Sequence, residues 1–171
     1  MTVVRDVDET VTGPLAGIRV IDLTSMISGP VATMMLADQG ADVIKVESLA
    51  GDLVRGAGPN RSGITSTFIS SNRSKRSLAL NLKTAEGAEI LRDLLSTADV
   101  MVQNFRPGTI ERMGFGEAAV CALCGKTSFM SQSVGSARMG PLRTSASTIR
   151  LSKHCQVWPR YRQTGRPAGR K

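Results

Sequence analysis

Along the first two thirds of this 171-residue chain, short apolar runs alternate with stretches of helical spacing. Residues 18–23 (IRVIDL) are mostly apolar and rich in β-branched side chains, which predicts a buried strand. Residues 24–30 read as a turn, with Ser28 and Gly29 as candidate helix caps and Pro30 placed as a first helical residue. Residues 31–39 follow as a helix with Val31, Met34 and Met35 on one face, and Gly40 supplies its stop. Residues 43–46 form a second apolar run, closed by Glu47. Strand, helix and strand in so short a span predict a βαβ unit with parallel strands.

The next twenty residues, 48–67, carry glycines at 51, 56, 58 and 63. A structureless loop of that length predicts either a lid over the carboxyl edge of the sheet or a surface insertion. Residues 68–71 suit a helical turn, and 72–76 (NRSKR) hold three cations. Residues 77–82 (SLALNL) alternate, with Leu78, Leu80 and Leu82 on one face of a half-buried strand. Thr84 is an N-cap candidate for a helix over 85–96, where Ala88, Leu91, Leu94 and Leu95 recur at helical spacing. Residues 99–102 read as a strand, 104–108 (NFRPG) as its exit loop, and 109–113 as a short helix stopped by Gly114. The pattern predicts a doubly wound α/β domain with a Rossmann-like parallel sheet.

In such a sheet the loop after the first strand meets a helix N-terminus, where phosphates are often held, although any α/β protein contains such units. The turn reads TSMISGP and lacks G-x-G-x-x-G. No nicotinamide or flavin cofactor is therefore expected, even though Glu47 falls near the position of a ribose-binding acid. Asp22 and Glu47 end their strands and are expected to accept from nearby backbone N–H groups.

Charge divides the chain. Residues 1–117 hold 12 Lys/Arg and 14 Asp/Glu, whereas residues 118–171 hold 10 Lys/Arg and no acid, for a net charge of +8. This break predicts three parts: a disordered leader over 1–12, the α/β segment over 13–117, and an irregular, disordered basic tail over 118–171. No apolar run reaches the length of a membrane span, and the polar N-terminus does not suit a signal peptide, so a cytoplasmic protein is expected. Three cysteines do not suggest a disulfide framework. Cys121 and Cys124 with His154 and Cys155 could offer four zinc ligands, but the adjacent His-Cys pair suits one tetrahedral site poorly, and no metal is expected. The tail's charge and its aromatic island at 158–161 (WPRY) suit nucleic acid, yet no binding motif accompanies them and nucleic acid is not the expected partner.

Three stretches, GPLAGIRVIDLT…SGPVATMMLADQGADVIKVE, NRSKRSLALNLKTAEG and ADVMVQNFRPGTIERMGFG, resemble the N-terminal part of the class III CoA-transferase family. That family includes formyl-CoA transferase, carnitine CoA-transferase, the bile-acid-inducible protein F type and α-methylacyl-CoA racemase. The resemblance covers residues 13–116 and implies coenzyme A or acyl-CoA as substrate, a carboxylic acid as second reactant, a homodimer, and no tightly bound cofactor. It places CoA contacts on Ile27 and Ser28, on Leu80, Asn81, Leu82 and Lys83, on Asn104, Phe105 and Arg106, and on Arg112. Ser48 takes a position where many relatives carry arginine. Lys83, Arg106 and Arg112 also stand beside predicted strand ends, so they are expected to face one cleft. Asn72, Arg73, Lys75 and Arg76 offer a second phosphate site or a solvated basic face.

The family's transferases use an aspartate that attacks the acyl-CoA thioester. That residue lies beyond the matched stretch, and residues 118–171 contain no acid, so no catalytic residue is expected here. The racemase alternative needs a histidine–carboxylate pair, and His154 is the one histidine, with no acidic neighbour. The expected function is that of a CoA-transferase's N-terminal CoA-binding segment; the alternatives are a racemase-type member or a basic protein binding nucleic acid through its tail. Charge break and loss of resemblance coincide, which leads to the expectation that a frame change or truncation replaced the family's continuation. Translating the encoding DNA in the other two frames beyond codon 117 should then reveal a Tyr-Asp-type continuation, and its absence from both frames would overturn that origin.

Overall fold

Alternation along the central strands divides their side chains between two faces of one sheet. The structure, a computed structural model, describes residues 12–124, 128–133 and 148–151. Strand β1 (Arg19–Leu23) is buried throughout and β2 (Asp42–Glu47) nearly so. Val20 and Val43 pack with Ala37 and Ala41 on the face covered by α1 (Ser28–Asp38). Ile21, Leu23, Ile44 and Val46 pack on the opposite face with Leu91 and Leu95 of α3 (Ala85–Ser96), Ile110 of α4 (Thr109–Arg112) and Val120 of α5 (Glu117–Cys124). A sheet covered on both sides accepts near-continuous apolar strands, which is why 18–23 shows no clean alternation.

Within the six-stranded sheet, β5 (Arg76–Ala79), β2, β1, β6 (Val100–Gln103), β7 (Ser128–Ser133) and β8 (Thr148–Leu151) lie side by side in that order. All neighbours are parallel except β7 and β8. The chain winds outward from β1 through β2 to β5, then returns to β6 on the other side of β1. The loops leaving β1 and β6 therefore part at a topological switch point, where open α/β sheets bind their ligands.

Four expectations change. Helix α1 starts at Ser28, with Ile27 in the capping position and no side-chain cap, so neither Ser28 nor Gly29 serves as one. Its buried face is Thr33, Met34 and Ala37, while Met35 is 55% exposed, because Gly29 and Pro30 are themselves buried and set the helix's rotation. Residues 48–67 are not structureless. They hold a 3₁₀ turn at Leu53–Arg55 and a hairpin of β3 (Asn60–Arg61) and β4 (Ile64–Thr65), whose two turn residues Ser62 and Gly63 both have positive φ as a type I′ turn requires. Thr65 ties the hairpin down by donating to the Val54 carbonyl at 2.6 Å and caps α2 (Ser66–Asn72).

The fourth change concerns the boundary at residue 117. Helix α5 begins there, and Val120 is fully buried in the core. Strand β7 then continues the parallel sheet beside β6. These residues carry no clean strand or helix periodicity in sequence and take their structure from their neighbours. The remainder of the expected tail, with His154, Cys155 and residues 158–161, and the expected leader apart from Thr12, lie outside the described residues. Among the described residues no helix is long and apolar enough to cross a membrane.

Leu91 and Leu95 are fully buried, whereas Ile90 on the same helix is 45% exposed. In urea unfolding, Leu91→Ala should cost about 2–5 kcal/mol. Ile90→Ala should stay under about 1 kcal/mol, and equal costs would contradict the assigned face.

Candidate functional site

A cavity of about 330 Å³ opens at the carboxyl ends of β1, β2, β5 and β6. Leu23, Thr24 and Ser25 bring the β1 exit to it, Val46, Glu47 and Ser48 the end of β2, and Gly51, Asp52 and Leu53 the loop beyond. Leu80, Asn81, Leu82 and Lys83 after β5, Phe105 after β6, and Met113 after α4 complete its lining. The walls are mainly apolar, and Lys83 is the cation among the lining residues. The turn after β5 is set by local chemistry. Leu80 N–H donates to the Glu47 carbonyl at 2.8 Å, and Thr84 caps α3 through the Gly87 N–H at 3.2 Å. Gly87 lets the Asn81 carbonyl lie against the helix, since a Cβ there would collide with it.

Beneath the apolar walls lies a layer of buried ions. Asp22 is fully buried and accepts from Thr24 N–H at 2.9 Å, Thr33 Oγ1 at 2.6 Å and Lys75 Nζ at 2.9 Å. Lys75 also donates to the Pro30 carbonyl and Asn72 Oδ1. Lys45, 1% exposed, donates to Asp52 Oδ2 at 3.0 Å and to the Thr24 carbonyl at 2.9 Å. Glu47 receives Arg55 through two bonds of 2.7 and 2.8 Å, the Asp52 N–H at 2.9 Å and Ser77 Oγ at 3.1 Å. Arg55 also stacks 3.8 Å from the Phe68 ring centroid. Among the described residues no buried side-chain nitrogen or oxygen lacks a partner.

Those contacts move the titrations. Burial pushes the Glu47 carboxyl up, but its bonds to Arg55, the Asp52 N–H and Ser77 outweigh burial and hold it below its ordinary value. Burial pushes the Lys75 ammonium down from the usual lysine range, against the opposing pull of Asp22. The bond to Glu47 raises Arg55 further. A carboxylate with every acceptor direction occupied is a poor nucleophile, so Glu47 is structural although it lines the cavity.

The β1 exit is held at each backbone polar group in turn. Thr24 N–H is bound by Asp22 and its carbonyl by Lys45. Ser25 N–H donates to Asn104 Oδ1 at 2.9 Å, and its carbonyl accepts from Asn104 Nδ2 at 2.8 Å. Met26, at φ +70°, donates its N–H to Asp52 Oδ1 at 3.3 Å. A non-glycine residue in this left-handed region persists where surrounding contacts over-determine it.

Of the residues named from sequence, Leu80, Asn81, Leu82, Lys83 and Phe105 line the cavity. Ile27, 52% exposed, and Ser28 do not, nor do Arg106 and Arg112. The expectation that Lys83, Arg106 and Arg112 share one cleft is met by Lys83 alone. Arg106 and Arg112 are exposed beside the lining residues Phe105 and Met113, and the Arg112 guanidinium turns back to Thr109 Oγ1 at 3.2 Å. Asn104 reaches the site through Ser25. The cluster at 72–76 lies outside the cavity lining: Lys75 is buried on Asp22, while the solvated Arg73 and Arg76 pair with Asp38 at 2.6 Å and with Asp42 at 2.7 Å. Asp22 and Glu47 do accept backbone N–H groups as expected, and cations as well. Lys45, Asp52 and Arg55 escaped sequence reasoning, although a lysine inside the apolar run DVIKVE signals a buried partner. Among the described residues no cluster of three His, Cys, Asp or Glu side chains could hold a metal.

The sequence model of CoA-transferase family III matches residues 15–124. The chain is 40% identical over 145 residues to the succinyl-CoA–L-malate CoA-transferase beta subunit of Chloroflexus aurantiacus, covering 84% of this chain and 36% of that protein. It is 49% identical over 105 residues to the formyl-CoA:oxalate CoA-transferase of Streptomyces avermitilis, covering 61% of this chain and 26% of that one. A crystal structure of a CAIB/BAIF family protein from Brucella suis superimposes with a TM-score of 0.68 at 36% identity, covering 75% of this chain and 35% of that chain. The chain thus spans between 26% and 36% of the length of these two curated relatives. An alignment covering 84% of 171 residues necessarily runs past residue 117, so resemblance does not end at the charge break. The frame-change expectation loses that coincidence.

Because the Glu47 carboxyl lies below its ordinary 4.5 in the folded chain, its contribution to stability is complete above that value and vanishes as pH falls through the lowered folded value. Thermal melts between about pH 3 and 7 should show acid destabilisation that Glu47→Gln makes shallower. An unchanged acid limb in the variant would contradict the assigned network.

Proposed function

Because the chain belongs to CoA-transferase family III, we propose that the cavity at its sheet edge binds coenzyme A and that the protein serves the transfer of CoA between carboxylic acids. Acyl-CoA and a free acid are then the reactants. The cavity itself carries the reading. Leu23, Val46, Leu80, Leu82, Phe105 and Met113 offer an apolar slot of a size and chemistry suited to an adenine base. Lys83 adds an ammonium group for a phosphate, and Arg106 and Arg112 lie exposed on the adjoining surface. The acids that line the cavity, Glu47 and Asp52, are engaged by Arg55 and Lys45, so this stretch is assigned CoA binding and no catalytic residue. A homodimer acting in the cytoplasm, as the sequence resemblance implies, belongs to the same proposal.

Coenzyme A should raise the melting temperature of the purified chain. The gain corresponds to about 2.7 kcal/mol at a hundredfold excess over Kd. Lys83→Ala should weaken CoA binding roughly tenfold while leaving the unliganded melting temperature within a degree or two, as expected for one exposed phosphate contact. Absence of any CoA-dependent shift, with salt-dependent retention on DNA in its place, would overturn the proposal.

A further inference from the structure

The two arms of the switch point are tied together by one side chain. Asn104 leaves β6, and both polar atoms of its amide bond Ser25 of the β1 exit: Oδ1 accepts from the N–H at 2.9 Å and Nδ2 donates to the carbonyl at 2.8 Å. On either side of Ser25 the backbone is already fixed, by Lys45 at the Thr24 carbonyl and by Asp52 at the Met26 N–H. Thr24 and Ser25 form a wall of the cavity, whereas Asn104 is not among its lining residues. Each amide atom keeps one further hydrogen-bonding capacity, but Asn104 stands outside the lining, and turning its amide toward a ligand would release Ser25 and free the wall between two fixed points.

We propose that Asn104 is a positioning residue of this site: it shapes the cavity by clamping Ser25 and acts on bound coenzyme A through that backbone, with no contact of its own. The part of this statement that concerns coenzyme A rests on the reading of the cavity given above; the clamp does not. The Lys45–Asp52 pair holds the flanking groups, so loss of the Asn104 bonds loosens Ser25 while leaving Thr24 and Met26 anchored. Preorganised walls of this kind are sensitive to small displacements.

The test compares the unsubstituted chain with Asn104→Ala and Asn104→Asp by amide hydrogen exchange without ligand and by calorimetric titration with coenzyme A, both well below the melting temperature. Asn104→Ala should speed exchange of the Ser25 N–H by at least about tenfold. It should weaken CoA roughly tenfold. Asn104→Asp keeps the acceptor for the Ser25 N–H and loses the donor to its carbonyl, so it should fall between the two in both readouts, and it carries the test should the alanine variant not fold. Weaker CoA binding with unchanged Ser25 exchange would mean direct contact and overturn the proposal. Faster exchange with unchanged affinity would reduce Asn104 to a purely structural role and overturn it too. An unsubstituted chain that binds no coenzyme A would sink the reading of the cavity, and the proposal's ligand half with it, whereas Ser25 exchange unmoved by either variant would sink the clamp whatever coenzyme A does.

Discussion

Everything at the carboxyl edge depends on two buried ion pairs, Asp22–Lys75 and Lys45–Asp52, whose four side chains are at most 2% exposed. Removing such ions from water is expensive, and a pair of this kind holds only when further hydrogen bonds satisfy the remaining donors and acceptors. Here those bonds come from the backbone that shapes the cavity. The Thr24 N–H and carbonyl, the Pro30 carbonyl and the Met26 N–H all terminate on the four ions. Ion pairing and loop geometry are thus one requirement: the charges are tolerable because the loops are in place, and the loops are in place because the charges need them. A buried pair broken on one side leaves an uncompensated charge, with a cost of roughly 3–5 kcal/mol.

Strand alternation explains why these ions lie where they do. On β1 and β2 the residues packed against α3, α4 and α5 are Ile21, Leu23, Ile44 and Val46, with the paired Arg19 and Asp42 preceding them on that face. The alternate residues facing α1 begin as Val20 and Val43 and end as Asp22 and Lys45. Beyond the Arg19–Asp42 ion pair at their amino ends, the strands are apolar on both faces in the middle and polar on the α1 face toward their carboxyl ends. Helix α1 answers this change: Ala37, near its end, packs on the apolar part, while Thr33 donates to Asp22. The glycine at 87 plays the matching part on the other side of the sheet, letting the Asn81 carbonyl approach α3 and setting the turn that carries Lys83.

Much of this frame was legible in the sequence because its signals are local. Helix α3 occupies residues 85–96 with Thr84 as its cap, as periodicity and capping chemistry predict. The strands at 18–23 and 43–46 are found within a residue or two of their expected limits. The buried ions were not legible, because a charge in sequence carries no mark of its partner. Lys75 lies in a cationic run that reads as a surface, and the acids that neutralise that run, Asp22, Asp38 and Asp42, belong to other elements. The same holds for β7, whose residues SFMSQS owe their extended form to β6 alongside. At the site, Leu80, Asn81, Leu82, Lys83 and Phe105 were found through the resemblance, whereas the roles of Asn104 and Asp52 needed the packed loops.

The Ser25–Asn104 contact spans 79 residues of chain, and the Asp22–Lys75 pair spans 53. Closures of that length come after the local helices and the first βαβ unit in any ordered assembly, since the entropy of bringing such distant segments together must be met first. A chain caught during synthesis or refolding with β6 still undocked has a nearly complete α1 face and an unfinished pocket. The cavity is therefore complete only once the sheet has closed on both sides of β1.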